Sequence, residues 1–165
     1  MTIRGTLGLA AVFVVLAGYL IATRPLTDAS PDQSPRLTPP LASATTVELS
    51  GGDHGPIRFA RRADGTWAEH IVPDVLDGLA SLHVLAVVDD APATPQSYGL
   101  GPDAPRLHVS EGTKDLIVIE VGAMNPAETG IYVRRSGEPS VLLVGALLRW
   151  ELGKLRRVVS TTSPP

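Results

Sequence analysis

Residues 5–22 form an apolar run that carries no charged side chain and is bracketed by Arg4 and Arg24. An α-helix rises about 1.5 Å per residue, so this run would be about 27 Å long, close to the roughly 30 Å hydrocarbon thickness of a bilayer. Leucine, valine, isoleucine and phenylalanine would leave no polar face, which excludes an amphipathic helix lying on the membrane surface. We therefore predict an N-terminal signal anchor, a transmembrane helix within residues 1–24.

Two alternatives to this anchor stay open. A cleavable signal peptide usually has an apolar core of about 7 to 15 residues, followed by small residues at the cleavage site. Here the core is longer, and Leu20 stands where a small residue would be needed. A buried helix of a soluble domain is the third interpretation. The chain contains no cysteine, which excludes attachment as a lipoprotein.

The orientation of the anchor is not fixed by charge, because arginines flank the run almost equally on its two sides. Most of the chain follows the run, which is the arrangement of a signal anchor that exports its C-terminal domain. We expect a single-pass protein of the inner (cytoplasmic) membrane with an extracytoplasmic, periplasmic domain.

The segment 25–44 is rich in Pro, Ser, Thr and Ala, with prolines at positions 25, 31, 35, 39 and 40. Proline lacks a backbone N–H and favours extended conformations, so we predict a linker with a reach of up to about 60 Å. Residues 160–165 are expected to form a disordered tail.

Charge argues against one class of partner. Outside residues 1–24 the chain has twelve basic and seventeen acidic side chains, a net charge of −5. An acidic body disfavours nucleic acid as a partner. The length that remains suits one domain with a modest core.

Residues 45–159 are predicted to form a small α+β domain with an antiparallel sheet and two helices. Period-two alternation between turns rich in glycine predicts the strands. A short strand is also expected at Trp67, after the turn 64–66, and the segment 116–121 is apolar on both faces, which indicates a central strand. The predicted strands lie at residues 47–50, 57–60, 106–109, 116–121, 130–134 and 140–144.

Two segments have helical spacing. Pro73 and Asp74 favour a helix N-terminus, and apolar residues follow at spacings of three and four. Gly78 in this helix suggests close packing against the sheet. Residues 84–88 either continue the helix or form a strand. Leu147, Leu148, Leu152 and Leu155 predict a C-terminal helix.

Several of these features occur in the order of a known family. They are Trp67 ahead of Pro73 and Asp74, then Leu76, Leu79 and Leu82, then Tyr98, Gly99, Leu100 and Pro102, then Val121 and Gly122, then Tyr132 and Val133, and then residues 141–144. Through them, roughly residues 45–157 resemble the domain of unknown function 4340 family of bacterial membrane-anchored proteins.

This resemblance implies a single N-terminal membrane helix, an α+β extracytoplasmic domain and, in some members, association with ABC-type transport or gliding-motility machinery. It brings no catalytic residues. Two features depart from the family pattern. The chain has room for one copy of a unit that members often repeat, and Asn125 and Pro126 have no place in that pattern.

Two groups of residues are candidates for binding a partner. Tyr98 and Leu100 belong to a turn that either plugs the core or docks a partner. The cations of the C-terminal helix either stabilise its C-terminus or face anionic lipid headgroups or an acidic partner. The candidate partner-binding residues are Tyr98, Leu100, Arg149, Lys154, Arg156 and Arg157.

The four histidines, His54, His70, His83 and His108, show no metal-ligand spacing. We predict no metal site, no cofactor and no catalytic residue. The residue pairs Asp53 and His54, and Glu69 and His70, are the alternative, since each could act as an acid/base pair.

The sequence as a whole favours a membrane-anchored, non-enzymatic accessory or scaffold subunit of a bacterial envelope complex. It would act by protein–protein interaction, with a membrane protein such as an ABC-type transporter as the candidate partner. A domain that binds a small molecule or glycan at the membrane surface is the first alternative. A hydrolase that uses an Asp/His pair is the second.

Overall fold

Seven antiparallel strands form one sheet in the computed structural model, which describes residues 34–52 and 55–162. Their order across the sheet is β2-β1-β4-β5-β6-β7-β3, so β5 is central and β2 and β3 are the edges. The predicted central strand at residues 116–121 is confirmed. The strands are β1 (Thr46–Ser50), β2 (Ile57–Ala60), β3 (Val84–Asp89), β4 (Arg106–Glu111), β5 (Lys114–Met124), β6 (Gly130–Arg135) and β7 (Val141–Gly145).

Two helices of the described residues, α1 (Ile71–Ala80) and α2 (Leu147–Thr162), cover one face of the sheet. Alternate strand residues such as Val47 and Ile119 are fully buried and share a core with Leu148 of α2. The other face of the sheet carries polar and half-buried side chains. The predicted α+β architecture, with an antiparallel sheet and two helices, is confirmed.

Residues 84–88, which the sequence leaves open between helix and strand, belong to β3. The pairing of β3 with β7 shifts between Val84 and Ala86, and again between Val87 and Asp89. Each shift inserts one extra residue into β3, which is a β-bulge. Two bulges in six residues erase the period-two pattern, so the sequence does not identify this strand.

Two other local predictions are wrong. The strand expected at Trp67 is reduced to a single bridge between Arg61 and Trp67. Helix α2 continues through Thr162, into the segment predicted as a tail from residue 160.

Asn125 organises the turn between β5 and β6. Its side-chain Oδ1 accepts hydrogen bonds from the backbone N–H groups of Thr129 and Gly130, at 2.9 and 3.0 Å. Its Nδ2 donates to the Thr129 hydroxyl at 3.1 Å. Asparagine commonly closes turns in this way, which gives the Asn125 and Pro126 segment a structural role.

The folded unit begins at Ser34, eleven residues before the boundary that composition predicts. Leu37 and Leu41 in this stretch are 1% and 2% exposed, so residues 34–44 form a strap packed on the core. The Arg135 guanidinium holds the strap by donating to the carbonyls of Arg36 and Leu37, at 3.1 and 3.0 Å. Prolines prevent regular secondary structure, but they do not prevent the leucines between them from packing.

Predictions for the rest of the N-terminus lie outside the described residues: the anchor at residues 1–24 and the linker at residues 25–33. Within residues 34–52 and 55–162, no helix has both the length and the apolar composition needed to cross a bilayer.

The two helices approach each other closely at Gly78 of α1. A Cβ atom at this position would lie 2.8 Å from Cδ of Glu151 in α2, closer than real Cβ contacts. Glu151 is 4% exposed, and Lys154 Nζ donates to both of its carboxylate oxygens at 2.9 Å. The sequence therefore indicates a close approach at Gly78 correctly, but the contact is with α2 and not with the sheet.

A double-mutant cycle on Gly78 and Glu151 tests this contact. Alanine is favoured over glycine in a helix by about 1 kcal/mol, but Gly78→Ala should destabilise the native protein by about 1 kcal/mol because it displaces the buried carboxylate. In a Glu151→Ala background the same change should stabilise by up to about 1 kcal/mol. Chemical denaturation of the four proteins measures the coupling. A coupling of zero would contradict the contact.

Candidate functional site

The Tyr98 loop packs tightly across the end of β5. It consists of a 3₁₀ turn, Pro95–Tyr98, followed by Gly99 with a positive φ of 72°. A Cβ atom on Gly99 would lie 2.6 Å from the backbone nitrogen of Ala123, and one on Gly122 would meet the Tyr98 carbonyl oxygen. Glycine is therefore required by both conformation and space at this crossing.

Leu100 and Tyr98 have different environments. Leu100 is 1% exposed and anchors the loop in the protein, so its side chain is not available to a partner. The Tyr98 ring is half-buried and meets the Tyr132 ring edge-on, with 5.1 Å between the centroids. Its hydroxyl donates to Oδ2 of Asp89 at 3.3 Å. Of the two candidate loop residues, Tyr98 alone presents part of its side chain to solvent.

Partial burial raises the pKa of the Tyr98 hydroxyl, because the charged phenolate would lose solvation, and the negative charge of Asp89 raises it further. The proton is thus held more firmly in the folded protein than in an exposed tyrosine. The hydroxyl remains a hydrogen-bond donor at neutral pH, which keeps the loop attached to β3.

The uncovered face of the sheet carries a row of charges. Glu120 on β5 lies opposite Arg106 on one side and Arg134 on the other. Its Oε1 accepts from Arg106 at 3.0 Å, and its Oε2 accepts from Arg134 at 2.6 Å. Glu120 is 14% exposed and Arg106 47% exposed, so one partly buried carboxylate fixes two cations that remain accessible. Tyr132 stands two residues from Arg134 on the same face.

We name this surface the open face and define it by the side chains that the strand register places together. It combines three charged residues, an aromatic pair and an apolar neighbour on the side of the sheet away from the helices. These residues are Arg106, Glu120, Arg134, Tyr98, Tyr132 and Val118.

The cations of α2 do not form one basic surface. Lys154 and Arg157 line a depression beside α1 with His70 and Ile71. Arg149 and Arg156 line a groove on the opposite side of α2, formed with the end of β5 and with Leu152 and Gly153. Lys154 neutralises Glu151, and the Arg157 guanidinium lies 5.2 Å from the centre of the Trp150 ring.

The histidines are dispersed. His54 lies outside the described residues, and His70 is exposed at the start of α1. His108 Nε2 is 2.7 Å from Oδ1 of Asp115, on the exposed side of the β4–β5 hairpin. The sequence analysis did not identify this pair. The predicted turn between the two strands could have indicated it, because the turn places β4 and β5 side by side. Within residues 34–52 and 55–162, no group of three His, Cys, Asp or Glu residues could hold a metal ion.

A cavity of about 440 Å³ lies between the 61–67 turn, α1 and the strap, and we name it the Trp67 cavity. Trp67 is half-buried and packs against the core. Arg61 is fixed at the rim because its guanidinium donates to the carbonyls of Gly65 and Ala42. His70 and Asp77 add further polar groups to the lining.

A comparison with known families identifies the family of the chain. Residues 58–157 match the family described as Domain of unknown function (DUF4340). The match spans more than half of the chain, and the protein belongs to this family. It covers β2 through most of α2, including the Tyr98 loop and the charged row of the open face. No curated protein and no solved structure matches the chain.

The raised pKa of Tyr98 predicts a loss of stability in alkaline solution. The hydroxyl has a pKa of about 10 in the unfolded chain and a higher one in the folded protein, so its contribution is complete below about pH 10. That contribution is lost as the pH rises through the folded-state pKa. Denaturation midpoints should therefore fall more steeply above about pH 10 in the native protein than in Tyr98→Phe. Equal slopes for the two proteins would show that Tyr98 is not the responsible group.

Proposed function

We propose that the protein is a membrane-anchored, non-enzymatic accessory or scaffold subunit of a bacterial envelope complex. It acts by binding another protein through the open face. The observation that supports this proposal is the row Arg106, Glu120 and Arg134 beside the Tyr98 and Tyr132 pair. These groups lie on a rigid sheet whose other face is covered by helices.

Residue type and rigidity both favour protein binding at this face. Arginine and tyrosine are enriched among the residues that dominate binding energy in protein interfaces. Glu120 holds both guanidinium groups in place before a partner arrives, which lowers the entropy lost on binding. Neither the charged row nor the aromatic pair lines the Trp67 cavity or the two depressions beside α2. Small ligands bind in concave sites, so a folded protein is the better occupant of the open face.

The partner and location are part of the proposal. The anchor at residues 1–24 places the protein in the inner membrane with its domain in the periplasm. A protein of the same membrane would then be within reach of the domain. The family resemblance makes an ABC-type transporter the candidate partner. The net charge of −5 outside the anchor argues against nucleic acid.

Affinity purification of the full chain from mild detergent tests this function. The native protein should capture a membrane protein in stoichiometric amount, and Arg134→Ala with Tyr132→Ala should reduce capture about tenfold or more, as loss of interface hot spots does. Arg62→Ala is the control, because it removes an exposed cation from the 61–67 turn, away from the open face. Thermal melting of each variant checks its folding. Equal capture by all variants would show that the open face does not bind the partner.

The Trp67 cavity supports the second candidate, a small-molecule or glycan-binding domain. Sugars stack on aromatic rings and form hydrogen bonds with charged rims, and this cavity offers Trp67 with Arg61, His70 and Asp77.

A ligand-induced melting shift tests this candidate. Glucose and N-acetylglucosamine serve as probes, and saturation at about 100 times Kd should raise Tm by several degrees. Asp77→Ala should abolish the shift, because Asp77 lines the cavity. Asp74→Ala should retain it, because Asp74 lies outside the lining. The absence of a shift with either sugar, together with a captured membrane partner, would favour the first function. The hydrolase alternative stays a prediction, since His54 lies outside the described residues.

A further inference from the structure

The large apolar side chains that remain exposed in the described part of the chain occupy two short segments. Three belong to the edge strand β3, and two belong to the first turn of α2. They are Leu85, Val87, Val88, Leu147 and Trp150, with Leu85 and Trp150 nearly 60% exposed at 58% and 59%. Exposed apolar residues that cluster in this way mark an interaction site, whereas scattered ones need no explanation.

The strand register brings the start of β3, next to Leu85, close to the start of α2, whereas Val87 lies farther along the strand, opposite Leu142. Val84, the first residue of β3, pairs with Val144 of β7, and α2 begins three residues later at Leu147. Leu147 and Trp150 are neighbours on the helix surface because they are three residues apart. We call this set of five side chains the apolar corner.

The two β-bulges disfavour a strand of another protein as the occupant. Leu85 and Val88 are the inserted residues at the two shifts in the pairing of β3 with β7. Bulges distort the backbone hydrogen-bonding pattern of an edge and are a common means of preventing strand addition. We therefore expect a partner to contact the exposed apolar side chains of the corner and not to add a strand to the β3 edge.

The charge around Trp150 is cationic on its outer side. Arg157 lies over the Trp150 ring, whereas Arg149 lines the groove on the opposite side of α2. The neighbouring acid, Glu151, points inward, where Lys154 neutralises it. Tryptophan beside arginine is characteristic of residues at the level of lipid headgroups, and anionic headgroups attract such cations.

The chain enters the folded unit at this corner. Pro35 accepts a hydrogen bond at 2.8 Å from the backbone N–H of Val84, the neighbour of Leu85. The unit begins at Ser34, so eleven residues separate it from the predicted end of the apolar run at residue 22. Eleven residues span at most about 40 Å even when fully extended, which keeps the corner near any bilayer that holds the run.

We propose that the apolar corner docks on the bilayer that carries the anchor, with its apolar side chains in the interfacial layer and Arg157 at anionic headgroups. This inference rests on the membrane-anchored function proposed above. It adds a second membrane contact, made by the folded domain itself.

Fluorescence of Trp150 in reconstituted vesicles tests the docking. The chain contains two tryptophans, so full-length Trp67→Phe leaves Trp150 as the reporter. Vesicles of phosphatidylcholine and phosphatidylglycerol with brominated acyl chains should quench its emission by about half or more relative to unbrominated vesicles, as expected for an interfacial tryptophan. The difference in quenching between the native protein and Trp150→Phe provides the same measurement without altering Trp67.

Variants and flotation separate the outcomes. Leu85→Ser with Val88→Ser should reduce the quenching, while Ala60→Ser with Ala68→Ser, at exposed sites outside the corner, should preserve it. Flotation with vesicles but no quenching would overturn the docking and leave the anchor intact. Failure to float would overturn the anchor and the docking together. Loss of a captured protein partner in the Leu85 and Val88 variant, without quenching in the native chain, would make the corner a protein interface and overturn the proposal.

Discussion

Burial of one face of the sheet beneath α1 and α2 is the constraint on which the other surfaces depend. It requires the two helices to lie close enough to seal the core, and Gly78 permits this by leaving room for the inward-pointing Glu151. The carboxylate is tolerated there because Lys154 bonds both of its oxygens. With the helices on one side, the opposite face and the β3 edge remain available for contacts with other molecules.

Local patterns predicted most of this fold because they reflect burial directly. Strand β1 and the middle of β5 alternate regularly, since one side of each faces the core. The sequence left β3 open between helix and strand, because β3 is an edge strand with two bulges. The strap was predicted to be part of a linker because it is rich in proline. Composition alone does not reveal that Leu37 and Leu41 pack on the core.

The candidate site was harder to predict because it depends on strand register. Tyr98 and the glycine beside it were identifiable from the turn they form. Glu120, in contrast, gains its partners from two neighbouring strands, each fourteen residues away in sequence. A one-residue change in register would move such a side chain to the other face, so residue type alone cannot reveal the row.

Under the proposed function, the open face and the apolar corner would have complementary roles. In the proposed function, an anchor joined to the domain by a linker would let the domain rotate, so the open face would meet its partner in many orientations. The proposed second contact with the bilayer would restrict that rotation. Five exposed apolar side chains would not need to bind a membrane strongly from solution, because the proposed tether would hold them at an effective concentration of about millimolar. The proposed anchor would then supply the strong membrane affinity, and moderate exposure of apolar surface on the domain would be enough to orient it.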